Sequence, residues 1–144
     1  MNKTQILKLL PYDKPFLFVD KIVKVDDSGI IGKYTFTEDE FFYPGHFKNN
    51  PITPGVILTE CMAQIGLACL GLFLIRDWVK DKAPNVAMTS NDIHYYKPVL
   101  PKETVVVTAT KEYFRFNKLK CAVTMTNESN EIVAKGTVSG MVIK

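Results

Sequence analysis

The stretch from Val56 to Trp78 most constrains how this chain can fold. After Thr59, Glu60 and Gln64 it runs from Ile65 to Ile75, eleven residues, without a charged side chain. A bilayer span needs about 20 predominantly apolar residues, so the pattern suits a helix buried in protein. Pro54 fits the first helical position, where a missing N–H costs nothing, and Thr53 is placed to cap it. Lys80 to Asn85 ends the helix in a charged, proline-containing turn. A helix apolar nearly all round has no face for water, and the rest of the chain must cover it.

The flanking sequence supplies that cover as strands. Thr4 to Leu10 reads as a short helix that Thr4 is placed to cap and Pro11 stops. Phe16 to Thr37 reads as a β-hairpin turning at Asp27-Ser28-Gly29, with Val23 and Val25 alternating against polar neighbours. Beyond the helix, Val86–Thr89 and Ile93–Tyr96 are short strand candidates. Thr104–Phe116, Leu119–Asn127 and Ile132–Ile143 are longer ones, the second with Cys121, Val123 and Met125 on one face and the third with Ile132, Ala134, Val138 and Val142 on the face turned to the core. The expected architecture is α+β: a curved antiparallel sheet of five or six strands wrapped around one long apolar helix.

Length and charge then exclude several functions. The 144 residues predict a single domain spanning 1–144. So small a domain rarely surrounds an acyl-sized or nucleotide-sized ligand and keeps a full core, so a second subunit is expected at the site. The net charge of +3, from 18 basic and 15 acidic residues, is scattered; a nucleic-acid binder carries a clustered basic stripe, and none is expected here. Cys61, Cys69 and Cys121 lack the spacing of a zinc site or disulfide framework and read as buried apolar residues of a reducing, cytoplasmic compartment. The opening residues, with four apolar side chains broken by Lys8, lack the apolar run of a signal peptide. No membrane insertion is expected.

Candidate chemistry gathers around the loop before the helix. Residues 41–56 hold three prolines and two glycines in sixteen positions, which excludes regular structure. His46 lies in that loop; the only other histidine, His94, falls in a strand candidate. Glu60 and Gln64 stand four apart on the apolar helix and share a face. A carboxyl there needs a partner, a proton or a wet cleft. At the helix start, the first N–H groups have no internal acceptor. Gly55 lets a carbonyl oxygen approach its N–H closely. An imidazole base, a carboxyl acid and a helix N-terminus suit proton abstraction beside a thioester carbonyl with loss of a β-hydroxyl.

Two segments carry a family resemblance. Leu10-Pro11-Tyr12-Asp13-Lys14-Pro15-Phe16-Leu17-Phe18-Val19-Asp20 resembles the opening of the FabZ-type (3R)-hydroxyacyl-acyl-carrier-protein dehydratases. Gly45-His46-Phe47-x-x-Asn50-Pro51-x-x-Pro54-Gly55-Val56, followed by Glu60-x-Met62-Ala63-Gln64, resembles their catalytic signature. The resemblance implies a hot-dog fold, catalytic His46 and Glu60, a carbonyl-binding N–H at Gly55, and Gln64 supporting Glu60. Phe47 and Val56 join Gly55 and Gln64 as substrate-binding positions. It implies acyl carrier protein as partner, a homodimer whose sites are shared between subunits, often a trimer of dimers, and no metal or cofactor. Tyr12 and Asp13 replace a usual His-Arg pair, Lys48 and Asn49 a usual Pro-Gly, and Thr53 a usual Met. These departures point towards a specialised acyl or polyene pathway.

The function implied is dehydration of (3R)-3-hydroxyacyl-acyl carrier protein to the trans-2-enoyl product. His46 is the base, and Glu60 is the acid or the group that orients a water. The alternatives are a hot-dog thioesterase and a non-catalytic acyl-binding subunit. Lys97, Lys102, Arg115 and Lys118 are the candidate basic residues for an acidic carrier protein.

Overall fold

The computed structural model describes residues 1–82 and 84–143. A short helix, α1 (Lys3–Leu9), precedes a hairpin of β1 (Lys21–Asp26) and β2 (Gly29–Thr35). The central helix comprises α2 (Gly55–Ala63), a π-helical segment (Gln64–Cys69) and α3 (Leu70–Leu74). Four strands follow: β3 (Asn85–Tyr95), β4 (Thr104–Arg115), β5 (Lys118–Thr126) and β6 (Ile132–Ile143). All six strands form one antiparallel sheet in the order β1-β2-β4-β5-β6-β3. The central helix is long and apolar enough to cross a bilayer by length and composition. Yet 83% of its most apolar window is buried within this protein, which makes it the core helix.

The strands bury alternate residues against that helix. Val105, Val107 and Ala109 of β4, and Leu119, Cys121, Val123 and Met125 of β5, are all buried. The backbones approach closely where side chains are small. A Cβ at Gly66 would lie 3.2 Å from Ala109 Cβ and 3.3 Å from Val123 Cγ1. At the turn from β1 to β2, Asp26 Oδ1 accepts from Ser28 N at 2.8 Å and from Gly29 N at 3.1 Å, a side chain mimicking a backbone turn.

Several local expectations are corrected. Helix α1 is capped by Asn2, not Thr4, because Asn2 and Gln5 exchange side-chain-to-backbone bonds in a capping box. Thr53 does not cap the central helix. Its hydroxyl is 2.7 Å from that of Tyr43, and extended Pro54 is the cap residue, so helical backbone starts at Gly55. The helix ends at Leu74, and residues 75–78 are turn. On β1 the inward residue is Ile22 while Val23 is largely exposed, because a bulge between Ile22 and Lys24 resets the alternation. The two short strands expected over 86–96 are one strand, β3, with a bulge between Met88 and Ser90. Ile132, expected inward on β6, is exposed, next to an irregularity in the β5–β6 register.

Candidate active site

An aromatic cluster holds the loop that carries His46. The rings of Phe18, Tyr34, Phe36 and Phe42 pack edge-on or tilted, with Tyr34 and Phe36 centroids 4.8 Å apart. Beneath them the buried Glu40 carboxylate accepts from Tyr34 Oη at 2.5 Å and from Thr37 N at 3.1 Å. That pins the turn entering the loop. Burial, then the bond to Glu40, holds the Tyr34 hydroxyl well above its ordinary value. The Tyr43–Thr53 hydroxyl pair joins the loop's two arms, and Thr53 N donates to Val99 O at 2.9 Å.

His46 is fixed at both backbone and ring. Its N–H donates to Phe42 O at 3.0 Å, and its carbonyl accepts from Ile52 N at 2.8 Å. The imidazole Nδ1 is 2.8 Å from Ile52 O. A carbonyl can only accept, so Nδ1 carries the proton and neutral His46 keeps its lone pair on Nε2. The Phe47 ring stacks on the imidazole, centroids 4.0 Å apart. Phe47 is 52% exposed and Val56 74% exposed; both candidate substrate contacts present apolar surface.

Glu60 is half-buried on the central helix. Burial raises its carboxyl above the ordinary 4.5, and the hydrogen bond from Gln64 partly opposes that rise. Gln64 Nε2 donates to Glu60 Oε2 at 3.0 Å and to Phe16 O at 3.0 Å, while its Oε1 accepts from Phe18 N at 2.8 Å. Gln64 has no exposed surface. It stands behind Glu60, tying the carboxyl to the backbone of Phe16 and Phe18. A Gln64→Leu variant leaves the buried Phe18 N–H without its acceptor. We expect that to lower stability by about 1–3 kcal/mol, read by denaturant unfolding; an unchanged midpoint would contradict this role.

Nearby groups complete the surroundings. Burial, with the Glu60 charge second, pushes the Tyr12 hydroxyl up to about 12, so Tyr12 stays protonated. At the helix start, Ile57 N and Leu58 N both donate to Pro54 O. Among the described residues the Gly55 and Val56 N–H groups have no acceptor. No hydrogen bond joins His46 to Glu60 within the described residues of one chain. All three cysteines are free and buried, with burial raising each thiol. Among the described residues no cluster of three or more histidines, cysteines or carboxylates could hold a metal.

Two site features escaped the sequence reading. Thr59 and Tyr95 share a hydrogen bond between their hydroxyls, and the Tyr95 ring lies against Gly55. The Tyr95-Tyr96 doublet before Lys97-Pro98 was the only signal. The four candidate docking residues do not form one patch. Lys97 lines a hollow with Gly55 and Tyr95 and pairs with Glu131 at 2.7 Å. Lys102 pairs with Glu38 at 2.9 Å beside the loop. Arg115 and Lys118 sit at the far end of the sheet, since Lys118 is level with Met141 while Tyr95 is level with Ala134. His94 is an exposed residue of β3, with Nε2 3.3 Å from Asp92 Oδ1.

Comparison with known proteins follows the same lines. The chain is 33% identical over 142 residues to the 3-hydroxyacyl-acyl-carrier-protein dehydratase FabZ of Agrobacterium fabrum, covering 96% of this chain and 88% of that protein. In fold it resembles the dehydratase heterocomplex ApeI:P from Xenorhabdus doucetiae, with a TM-score of 0.82 and 11% identity over 96% of this chain and 91% of that one. It also resembles a hypothetical thioesterase with coenzyme A from Streptococcus pneumoniae, with a TM-score of 0.65 and 15% identity over 85% and 84% of the two chains. These structures establish the hot-dog fold; a fold shared by dehydratases and thioesterases does not choose between their chemistries. The FabA-like domain family matches residues 10–137, and the chain belongs to that family.

Proposed function

We propose that this chain removes water from (3R)-3-hydroxyacyl groups carried on acyl carrier protein, giving trans-2-enoyl products in fatty-acid or related lipid synthesis. The observation that carries the reading is the pair of oppositely prepared groups: an imidazole with its free lone pair on Nε2, and a carboxyl raised by burial. A ring nitrogen with its lone pair free can take a proton, and a carboxyl whose protonated form burial favours can give one.

His46 Nε2 takes the proton from C2 of the acyl group. Negative charge gathers on the thioester oxygen, where the unpaired N–H groups of Gly55 and Val56 stabilise it. Glu60 gives its proton to the hydroxyl on C3, the C3–O bond breaks, and water leaves. The proton on His46 then returns through solvent to Glu60, restoring both groups. Gln64 keeps the Glu60 carboxyl oriented throughout.

A homodimer fits this chemistry. β3 is an eleven-residue edge strand, mostly exposed, and such an edge invites pairing with another chain. We take His46 and Glu60 of each site from different subunits. Three free cysteines suit the reducing cytoplasm.

The carrier protein, acidic as a class, docks near Lys97 and Lys102. Charge reversal at both, to glutamate, is expected to raise KM about three- to tenfold at low salt and less as salt screens the contact. An unchanged KM at low salt would reject these two residues. The reaction itself is read by intact mass of the carrier. Loss of one water from the bound 3-hydroxyacyl group supports dehydration; loss of the whole acyl group indicates a thioesterase instead.

A further inference from the structure

We infer that Tyr95, held by Thr59, is a specificity-determining residue that limits bulk at C2 of the acyl group. The inference rests on the dehydration proposed above. Gly55 gains its space by lacking a side chain, but that space is not open. A Cβ at Gly55 would lie 3.2 Å from Tyr95 Cζ, 3.3 Å from Cε1 and 3.5 Å from Cε2. The ring therefore packs tightly against the place a side chain would start at the first helical residue.

Its hydroxyl is hooked one turn further on. Thr59 and Gly55 stand four apart on the helix and share a face, and the Tyr95 and Thr59 hydroxyls are hydrogen-bonded. The hydroxyl end of the ring is thus held against the helix between Gly55 and Thr59. Cα–Cβ bonds in a helix tilt towards the N-terminus, the end at which the first N–H groups are unpaired. A ring packed against the Cβ position of Gly55 therefore borders the space into which those N–H groups point. A carbonyl oxygen bound there brings its neighbour C2 alongside the ring.

Tyr95 also has somewhere to move. It is 47% exposed and lines a hollow of about 310 Å³ with Thr53, Leu58, Tyr96, Lys97 and Pro98. The hydroxyl bond to Thr59 keeps the ring against the helix rather than in that hollow.

The test compares carrier-bound (3R)-3-hydroxyacyl substrates with and without a methyl group at C2, each of which retains a C2 proton. The readout is the ratio of kcat/KM, branched over unbranched. Tyr95→Ala is expected to raise the ratio about tenfold, the scale on which a pocket senses a methyl group. Tyr95→Phe and Thr59→Val, which remove the hydroxyl bond alone, are expected to raise it about threefold each. Their double variant is expected to match either single one, because both cut the same bond. Thr59→Ser is expected to keep the original ratio. If Tyr95→Ala fails to fold, Tyr95→Phe and Thr59→Val decide. A wild-type enzyme that makes enoyl product while the ratio stays constant across the variants overturns the inference alone. A wild type that makes none overturns the dehydration reading and the inference with it.

Discussion

Replacing His46 with alanine is expected to lower kcat for enoyl formation by about a thousandfold, within the 10²–10⁴ range of a positioned general base. The substrate KM should change far less, because the imidazole acts on a proton that moves only in the transition state. Nothing nearby can take over. The ring is positioned by Ile52 O, and its backbone by Phe42 O and Ile52 N, so truncation removes the base while the loop keeps its other anchors. The second histidine, His94, is exposed on β3 beside Asp92. Steady-state kinetics check this, and full activity in His46→Ala would exclude the imidazole as base.

Glu60→Gln is expected to cost about a hundredfold or more in kcat and to change the pH profile. Glu60 donates only when protonated, and burial raises its carboxyl above 4.5. In the wild type kcat should therefore fall as pH rises through that raised value, and the variant should lose this alkaline limb. Stability falls with pH over the same range. A carboxyl raised in the folded protein binds more protons there than in the unfolded chain, so stability falls as pH climbs from 4.5 through the raised value. Glutamine carries no charge to desolvate, and Glu60→Gln should unfold at a higher temperature than wild type at neutral pH. A variant with an unaltered alkaline limb would assign both proton transfers to His46 and leave Glu60 as an orienting group.

Much of this was legible in the residues, for physical reasons. An apolar helix can only be a core, so the run from Ile65 to Ile75 implied the wrapped sheet before any strand was placed. Period-two burial located β4, β5 and β6 to within a residue or two at their ends. His46, Glu60 and Gln64 stood out because polar groups near an apolar helix must be satisfied, and Gln64 does satisfy Glu60. Most of the misses depend on pairings that the local sequence does not show. The bulges in β1 and β3 decide which side chains turn inward, and no local composition announces them. The same holds for Tyr95, which meets Thr59 only because β3 crosses the helix start, and for Arg115 and Lys118. Those two lie level with Met141, seven residues along β6 from the partner of Tyr95, about 23 Å at ~3.3 Å per residue. The π-helical turn over Gln64–Cys69 has no compositional signature either.

The central claim is dehydration at a site built from His46 of one chain and Glu60 of another. Co-expression of His46→Ala chains with Glu60→Gln chains tests it most directly. Each variant alone retains a small fraction of wild-type activity. In a random mixture about half the dimers combine the two variants, and one of their two sites then pairs an intact His46 with an intact Glu60. Enoyl formation by the mixture is expected to recover to about a quarter of the wild-type rate, well above either variant. A mixture no more active than its parts, with mixed dimers shown to be present, would contradict the shared site.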